Sequence, residues 1–282
     1  MEIGSNMLNI NFEGKLTFWD LMNFSNEHNI DIYDLCHTAL TKEAIFSEEI
    51  NLLSDFIDSL SNKNNLIQSQ LLQDAFATFV IGEKYKKTFL EFGATDGVSL
   101  SNSYMLENSY KWIGLLAEPS PQWHDELKNN RPNTKILTKC IWKSSGEKLD
   151  FFVSNVGELS SINDFIHSDL SSMPGNTQAR VQKGKVVEVE TISINDAIKN
   201  NFHGDAPSYI SIDTEGSEYE ILKSFDFEKY QPVLFTIEHN FTDLENKIDE
   251  LMHSNGYIRV FKKITAFDAW YVFNEVITKI SE

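Results

Sequence analysis

The chain has 282 residues, enough to bury one substantial core, either as one large domain or as an α/β domain with a smaller addition. Its 41% hydrophobic and 12% aromatic residues are those of an ordered globular protein. The 24 basic against 42 acidic residues give a net charge of -18, and the densest basic run is only Lys84, Lys86 and Lys87. That balance argues against a nucleic-acid partner, which needs a positive footprint.

Met1 to Asn11 lack the basic start and apolar run of a secretion signal, and no stretch has the length and apolarity of a membrane span. Cys36 and Cys140, without CxxC spacing, read as two reduced thiols, with Cys140 buried, and all of this suits a cytoplasmic protein. From Ile32 to Phe79 apolar residues recur at helical spacing: Ile45, Leu52, Leu53, Phe56, Ile57 and Leu60, then Leu66, Leu71, Leu72, Phe76 and Phe79. Ser47, ahead of Glu48, Glu49 and Ile50, predicts a helix cap with acids in the first turn, and the polar stretch 61–65 predicts a turn. Residues 1–65 are therefore expected to form an N-terminal helical appendage, and 66–282 the main domain.

From Thr88 the period changes. Short β-branched and aromatic runs alternate with helical segments, which predicts an α/β fold with an open, mostly parallel, Rossmann-like sheet. The predicted strands are Thr88–Phe92, Trp112–Ala117, Lys135–Trp142, Tyr209–Ile212, Val233–Ile237, Tyr257–Phe261 and Ala269–Phe273. The linking helices include Ser101–Asn108, Gln122–Asn129, Glu218–Ser224 and Leu244–Ser254. An insertion at about 143–201 carries two more strand-like runs, Leu149–Val153 and Val186–Ile192, around a polar loop with Ser171, Ser172, Pro174, Gly175 and Asn176 that is a candidate lid.

The first predicted strand runs into Glu91-Phe92-Gly93-Ala94-Thr95-Asp96-Gly97, placed where open α/β sheets bind nucleotides. Gly93 and Gly97 allow the backbone to turn and approach a ligand. Thr95 stands where the dinucleotide fingerprint has its central glycine, and Glu91 and Asp96 bracket the loop with negative charge. A pyrophosphate would be repelled there, which disfavours an NAD(P)-dependent oxidoreductase; the ammonium and sulfonium of S-adenosylmethionine would be attracted. The second strand ends in Glu118-Pro119, an acid that can accept both hydroxyls of a ribose. Cys140 and Ile141, near the end of the third, are candidates for the adenine slot, with core packing as the competing role.

The segments Ser69-Gln70-Leu71-Leu72-Gln73-Asp74, Phe89 to Gly97, Trp112 to Pro119, Asn130-Arg131-Pro132-Asn133, Ile212 to Glu218 and Ile237-Glu238-His239-Asn240 run in one order over roughly residues 66 to 273. In this the chain resembles the FkbM family of S-adenosylmethionine-dependent methyltransferases. The resemblance implies a seven-stranded class I methyltransferase fold and methylation of a hydroxyl of a sugar, glycan or related small molecule. It also implies Glu118 as the ribose acid and residues 93–97 as the loop on the methionine side. Thr95 departs from the Asn of many members but keeps a small polar side chain. A catalytically silent member that keeps the fold for binding is the non-enzyme alternative.

Asp213, after the fourth strand, and Glu238, His239 and Asn240, after the fifth, are expected to converge, because adjacent parallel strands present their tips on one side. Such a set can hold Mg²⁺ or Mn²⁺, in similarity to metal-dependent catechol-type methyltransferases. Without a metal, His239 has the ordinary pKa of a general base, and Asp213 or Glu238 would orient it or the substrate. Asp213 counts both as catalytic and as cofactor-facing. Glu215 and Glu218 read as acids opening a helix, and Trp270 and Tyr271 as packing.

Overall fold

The computed structural model describes Leu8, Ile10, Phe12 and residues 14–280, so most of the segment Met1 to Asn11 read for a leader lies outside the described residues. Helices α1 (Phe18–His28), α2 (Ile32–Thr41), α3 (Ile50–Ser59) and α4 (Gln73–Ile81) precede strand β1 (Thr88–Phe92). Next come α5 (Tyr104–Asn108), β2 (Ile113–Ala117), α6 (His124–Asn130) and β3 (Lys135–Leu137). β4 (Cys140–Trp142) leads into the insertion, which holds β5 (Lys148–Ser154), β6 (Ser161–Ile162), α7 (Pro174–Gln182), β7 (Gly184–Ser193) and α8 (Ile194–Asn201). The chain continues through β8 (Tyr209–Ile212), α9 (Glu218–Leu222), β9 (Leu234–Glu238) and α10 (Leu244–Ser254), and closes with β10 (Tyr257–Val260), β11 (Asp268–Phe273) and α11 (Asn274–Ile280).

Seven strands form one sheet in the order β10-β11-β9-β8-β1-β2-β3, in which β11 alone runs antiparallel to its neighbours. The winding reverses between β1 and β8. Their C-terminal loops therefore part there and open a crevice, the usual ligand position in such sheets.

Period-two alternation along these strands divides their side chains between two cores. Phe89, Leu116, Tyr209, Leu234 and Trp270 face one, while Leu90, Leu115, Ile210, Phe235 and Tyr271 face the other. Helices α8, α9 and α10 cover the second face through Ile198, Leu222 and Met252. The first face is covered by the N-terminal helices: Phe18 stacks on Trp270 at 5.5 Å, Phe76 at 4.6 Å, and Phe56 packs edge-on at 6.1 Å. The region expected as an appendage is thus one wall of the main core, because its apolar faces are the cover that side of the sheet requires.

Three local expectations need correction. The predicted strand Lys135–Trp142 is two strands. β3 ends the main sheet, and the chain then crosses over so that β4 pairs with β7 in a second sheet, order β4-β7-β5-β6, built by the insertion. The predicted polar loop is partly helical: Pro174 opens α7, where its missing N–H costs nothing. Ser47 is not the cap of α3, which begins after Glu49; its Oγ accepts the Glu49 N–H at 3.3 Å and shapes the preceding turn. Among the described residues no helix is long and apolar enough to cross a membrane.

Candidate active site

A cavity with about 270 Å³ of free space opens at the parting of β1 and β8. On its β1 side, Gly93 holds φ +73°, and a Cβ there would collide with the Asp213 carbonyl oxygen, so the two loops touch through a glycine. The N–H groups of Gly93 and Ala94 donate to the Ala117 carbonyl at 3.0 and 3.3 Å. Thr95, at φ 45°, donates its N–H to Glu118 at 2.9 Å, and Ser120 N–H reaches the other Glu118 oxygen at 2.7 Å. Burial pushes the Glu118 carboxyl up to about 7, against the pull of those two N–H groups. An acid so placed gains from any further donor, and a pair of ribose hydroxyls supplies two.

Glu91, Gly93, Ala94, Thr95, Glu118, Pro119, Cys140, Ile141 and Asp213 all line this cavity. Cys140 and Ile141 arrive on β4 and join Phe151, Leu159 and Ile162 in an apolar slot beside Glu118. Burial, then the neighbouring Glu118, pushes the Cys140 thiol up to about 12, so it remains a neutral wall. Asp96 and Gly97 are absent from the lining. Asp96 folds back to accept the N–H groups of Val98 and Ser99, both at 2.8 Å. A Cβ on Gly97 would strike Leu127 and Arg131, so this glycine serves helix packing. Glu91 reaches the lining, but its oxygens accept from Ser101, Asn102 and Ser103. The negative bracket expected around the loop is therefore displaced, and the cavity's charge sits on Glu118 and on the carboxylates across from it.

Those carboxylates are Asp213, just past β8, Glu215 in the loop that follows, and Glu238, the last residue of β9. One oxygen from each lies within 4.8 Å of the others. Glu215 adopts φ 57°, a left-handed conformation uncommon for a side chain of its size, which turns its carboxylate back beside Asp213. Glu218 does not enter the group; it accepts the N–H groups of Thr214 and Gly216, both at 2.9 Å, and so shapes the loop. Burial first, and repulsion from Glu218 next, raise the Asp213 carboxyl to about 7. Burial, then Asp213, hold Glu215 and Glu238 well above the ordinary range.

Among the described residues, an arginine offsets part of this charge. Arg180 of α7 is fully buried and pairs with Glu215 at 2.5 Å and with Asp169 at 2.8 Å. Its other donors reach the Leu159 carbonyl at 2.8 Å and the Ile166 carbonyl at 3.1 Å. Asn240 bridges two of the acids, donating to Glu238 at 2.7 Å and to Glu215 at 3.4 Å. Sequence reasoning missed Glu215 and Arg180. The Glu-Gly step at 215–216 was visible, but the left-handed turn that redirects Glu215 was not, and nothing local marks Arg180.

His239 was expected beside these acids and is turned away from them. Its Nδ1 faces the Phe241 N–H at 3.1 Å, and its Nε2 faces the Arg259 guanidinium at 3.2 Å. Burial pushes its pKa down to about 4, with Arg259 acting in the same direction against the pull of Glu245. A ring that resists protonation and lies outside the cavity is neither a general base near neutrality nor a ligand of an ion at the triad. The cause is the alternation of the chain at the strand end, where Glu238 and Asn240 face the cavity and His239 faces the opposite side.

The sheet order and the glycine loop at the crevice are those of the Rossmann-like class I fold, and S-adenosylmethionine-dependent methyl transfer follows from the family match. The sequence profile of the FkbM methyltransferase domain matches residues 91–259, more than half of the chain, and the chain belongs to that family. An FkbM methyltransferase from Methylobacillus flagellatus is 12% identical with a TM-score of 0.43, over 84% of this chain and 58% of that one. A Podospora anserina methyltransferase solved with bound S-adenosylhomocysteine is 9% identical with a TM-score of 0.42, over 94% and 99%. A precorrin-6Y C5,15-methyltransferase from Geobacter metallireducens is 11% identical with a TM-score of 0.38, over 73% and 88%. No curated protein sequence matches the chain.

Replacing Glu118 with Ala is expected to weaken S-adenosylhomocysteine binding by roughly 1–3 kcal/mol, the worth of hydrogen bonds to a charged group. Calorimetry on the two proteins measures this directly, and equal affinities would remove Glu118 from the ribose.

Proposed function

We propose that the enzyme transfers the methyl group to a hydroxyl oxygen of a sugar, glycan or related small molecule, with a divalent cation, Mg²⁺ or Mn²⁺, held by Asp213, Glu215 and Glu238. The observation that carries this reading is the convergence of three carboxylates, Glu215 buried and Asp213 and Glu238 half-buried, within 4.8 Å inside the cavity, with Arg180 paired to Glu215. A hard, all-oxygen donor set of this kind suits such ions. The raised carboxyl pKa values support the same view, since burial and mutual repulsion favour a proton or a cation among these groups.

S-adenosylmethionine brings an activated methyl sulfonium, so the protein has to align an oxygen nucleophile and accept its proton. When bound, the cation would polarise the hydroxyl and lower its pKa. Asp213 lies at the junction of the two loops, beside Gly93, and is the carboxylate best placed to receive that proton. Glu238 and Asn240 orient the acceptor's neighbouring hydroxyls. The acidic lining opposes anionic acceptors, nucleic acid among them.

The test is methyl transfer to neutral sugars in chelator-treated protein, with and without added Mg²⁺ or Mn²⁺. Activity is expected to fall at least tenfold with chelator and to return with the metal. Undiminished activity in excess chelator would discard the cation, and absence of transfer to any hydroxyl acceptor would discard oxygen as the target.

A further inference from the structure

Along the C-terminal edge of the sheet, features follow strand order. Glu118 stands after β2, the loop of Gly93 after β1, the acidic triad at β8 and β9, and Phe267 just before β11, whose Asp268 pairs with Glu238, while Ile141 reaches the Glu118 end from the second sheet. The cavity thus continues past the triad on the side away from the adenosine slot. Trp19 of α1 lines it there, 37% exposed, with its ring edge-on to Phe267 at 5.4 Å. Leu100 lines the same cavity, 47% exposed at φ 59°, a left-handed conformation held by a backbone bridge to Ser69. Keeping an exposed apolar side chain in an unfavourable backbone state at a cavity is the pattern of a ligand-facing residue. Phe267 is also tied to the segment that follows Glu238, since its carbonyl accepts the N–H groups of His239 and Asn240 at 2.9 and 3.2 Å.

We propose that this end of the cavity is the acceptor subsite and takes a neutral pyranose ring, whose C–H face stacks on Trp19 while its hydroxyls meet Glu238, Asn240, Gln70 and Asn176. The proposal rests on the reading that a hydroxyl is methylated. A ring with one apolar face and hydroxyls around its rim matches an aromatic platform set among carboxylates and amides. A flat aromatic acceptor with one or two hydroxyls leaves most of those amides without partners, an expensive outcome in a closed site. A uronate or a sugar phosphate brings negative charge into a lining that also holds Glu91, Glu118 and Glu158, beyond the three carboxylates that the cation and Arg180 would offset. The N-terminal helix thereby selects the acceptor.

The test loads the protein with S-adenosylhomocysteine and Mg²⁺ and titrates it calorimetrically with methyl glucopyranoside, methyl mannopyranoside, methyl galactopyranoside, glucuronate, catechol and open-chain sorbitol. At least one neutral pyranoside is expected to bind, and to bind at least tenfold better than glucuronate, catechol or sorbitol. Trp19→Ala should weaken that binding at least tenfold and Trp19→Phe less than threefold, with S-adenosylhomocysteine affinity unchanged in both. Failure of every neutral pyranoside to bind, equal binding of sorbitol, glucuronate or catechol, or full binding by Trp19→Ala would overturn the subsite. Because binding is read without turnover, the two ideas separate. A pyranoside held through Trp19 but never methylated defeats hydroxyl methylation and leaves the subsite standing. Hydroxyl methylation with unchanged KM in Trp19→Ala defeats the subsite and leaves the chemistry standing.

Discussion

Asp213→Asn is expected to lower turnover on a sugar acceptor by about 10²–10³-fold, the scale of removing a general base or a preorganised charge. Affinity for S-adenosylhomocysteine should change less than about threefold, because the contact Asp213 makes with the cofactor loop is through its backbone, against Gly93. The same substitution should stabilise the unliganded fold, with a definite pH signature. The Asp213 carboxyl, raised by burial and by Glu218 to about 7, binds its proton more tightly folded than unfolded. Its contribution to stability is therefore full below about pH 4, the unfolded value, and is lost as pH rises through about 7. An asparagine keeps the shape and does not ionise, so the melting temperature of the variant minus that of the parent should grow from pH 5 to pH 8. Normal turnover would remove Asp213 from the mechanism, and a pH-independent difference in melting would show that its charge is not strained.

Arg180→Met should destabilise the protein by about 3–5 kcal/mol, because removing one partner of a buried ion pair leaves the others uncompensated. Here the loss strands Glu215 and Asp169 together and frees the carbonyls of Leu159 and Ile166. Arg180→Lys should recover only part of it, since an ammonium group cannot serve four separate acceptors in the fixed geometry of a guanidinium. The deficit in urea denaturation should shrink as pH falls, beginning above the ordinary carboxylate range, because burial and Asp213 hold Glu215 well above it and protonation of Glu215 substitutes for the missing cation. A deficit below about 1 kcal/mol would mean that the pair is balanced by its own desolvation. Activity should fall with stability, because α7 and the segment before it bring Met173 and Asn176 to the cavity wall.

Much of this architecture was readable along the chain, for a local reason. Strands buried on both faces must be apolar runs of limited length, and those at Thr88–Phe92 and Tyr209–Ile212 carry the residues predicted for them. The acid at the end of the second strand was readable too, because strand tips in a parallel sheet point to one side. The errors share the opposite origin. Lys135–Trp142 has strand character throughout, but which sheet each half joins depends on partners about fifty residues further on, in β7. Asp96 and Gly97 look like ligand residues in a glycine loop, yet their contacts are set by the following turn, α6 and Arg131.

By itself the sequence determined the fold class, the order of the elements and the acids at the strand tips, since periodicity and strand direction are properties of short segments. Tertiary structure alone decided which of those acids act together. A left-handed backbone at Glu215 brings that carboxylate in, alternation at the end of β9 sends His239 out, and an arginine some thirty-five residues upstream supplies the counter-charge. Charges interact through space and burial, so their grouping exists only once distant parts of the chain have packed.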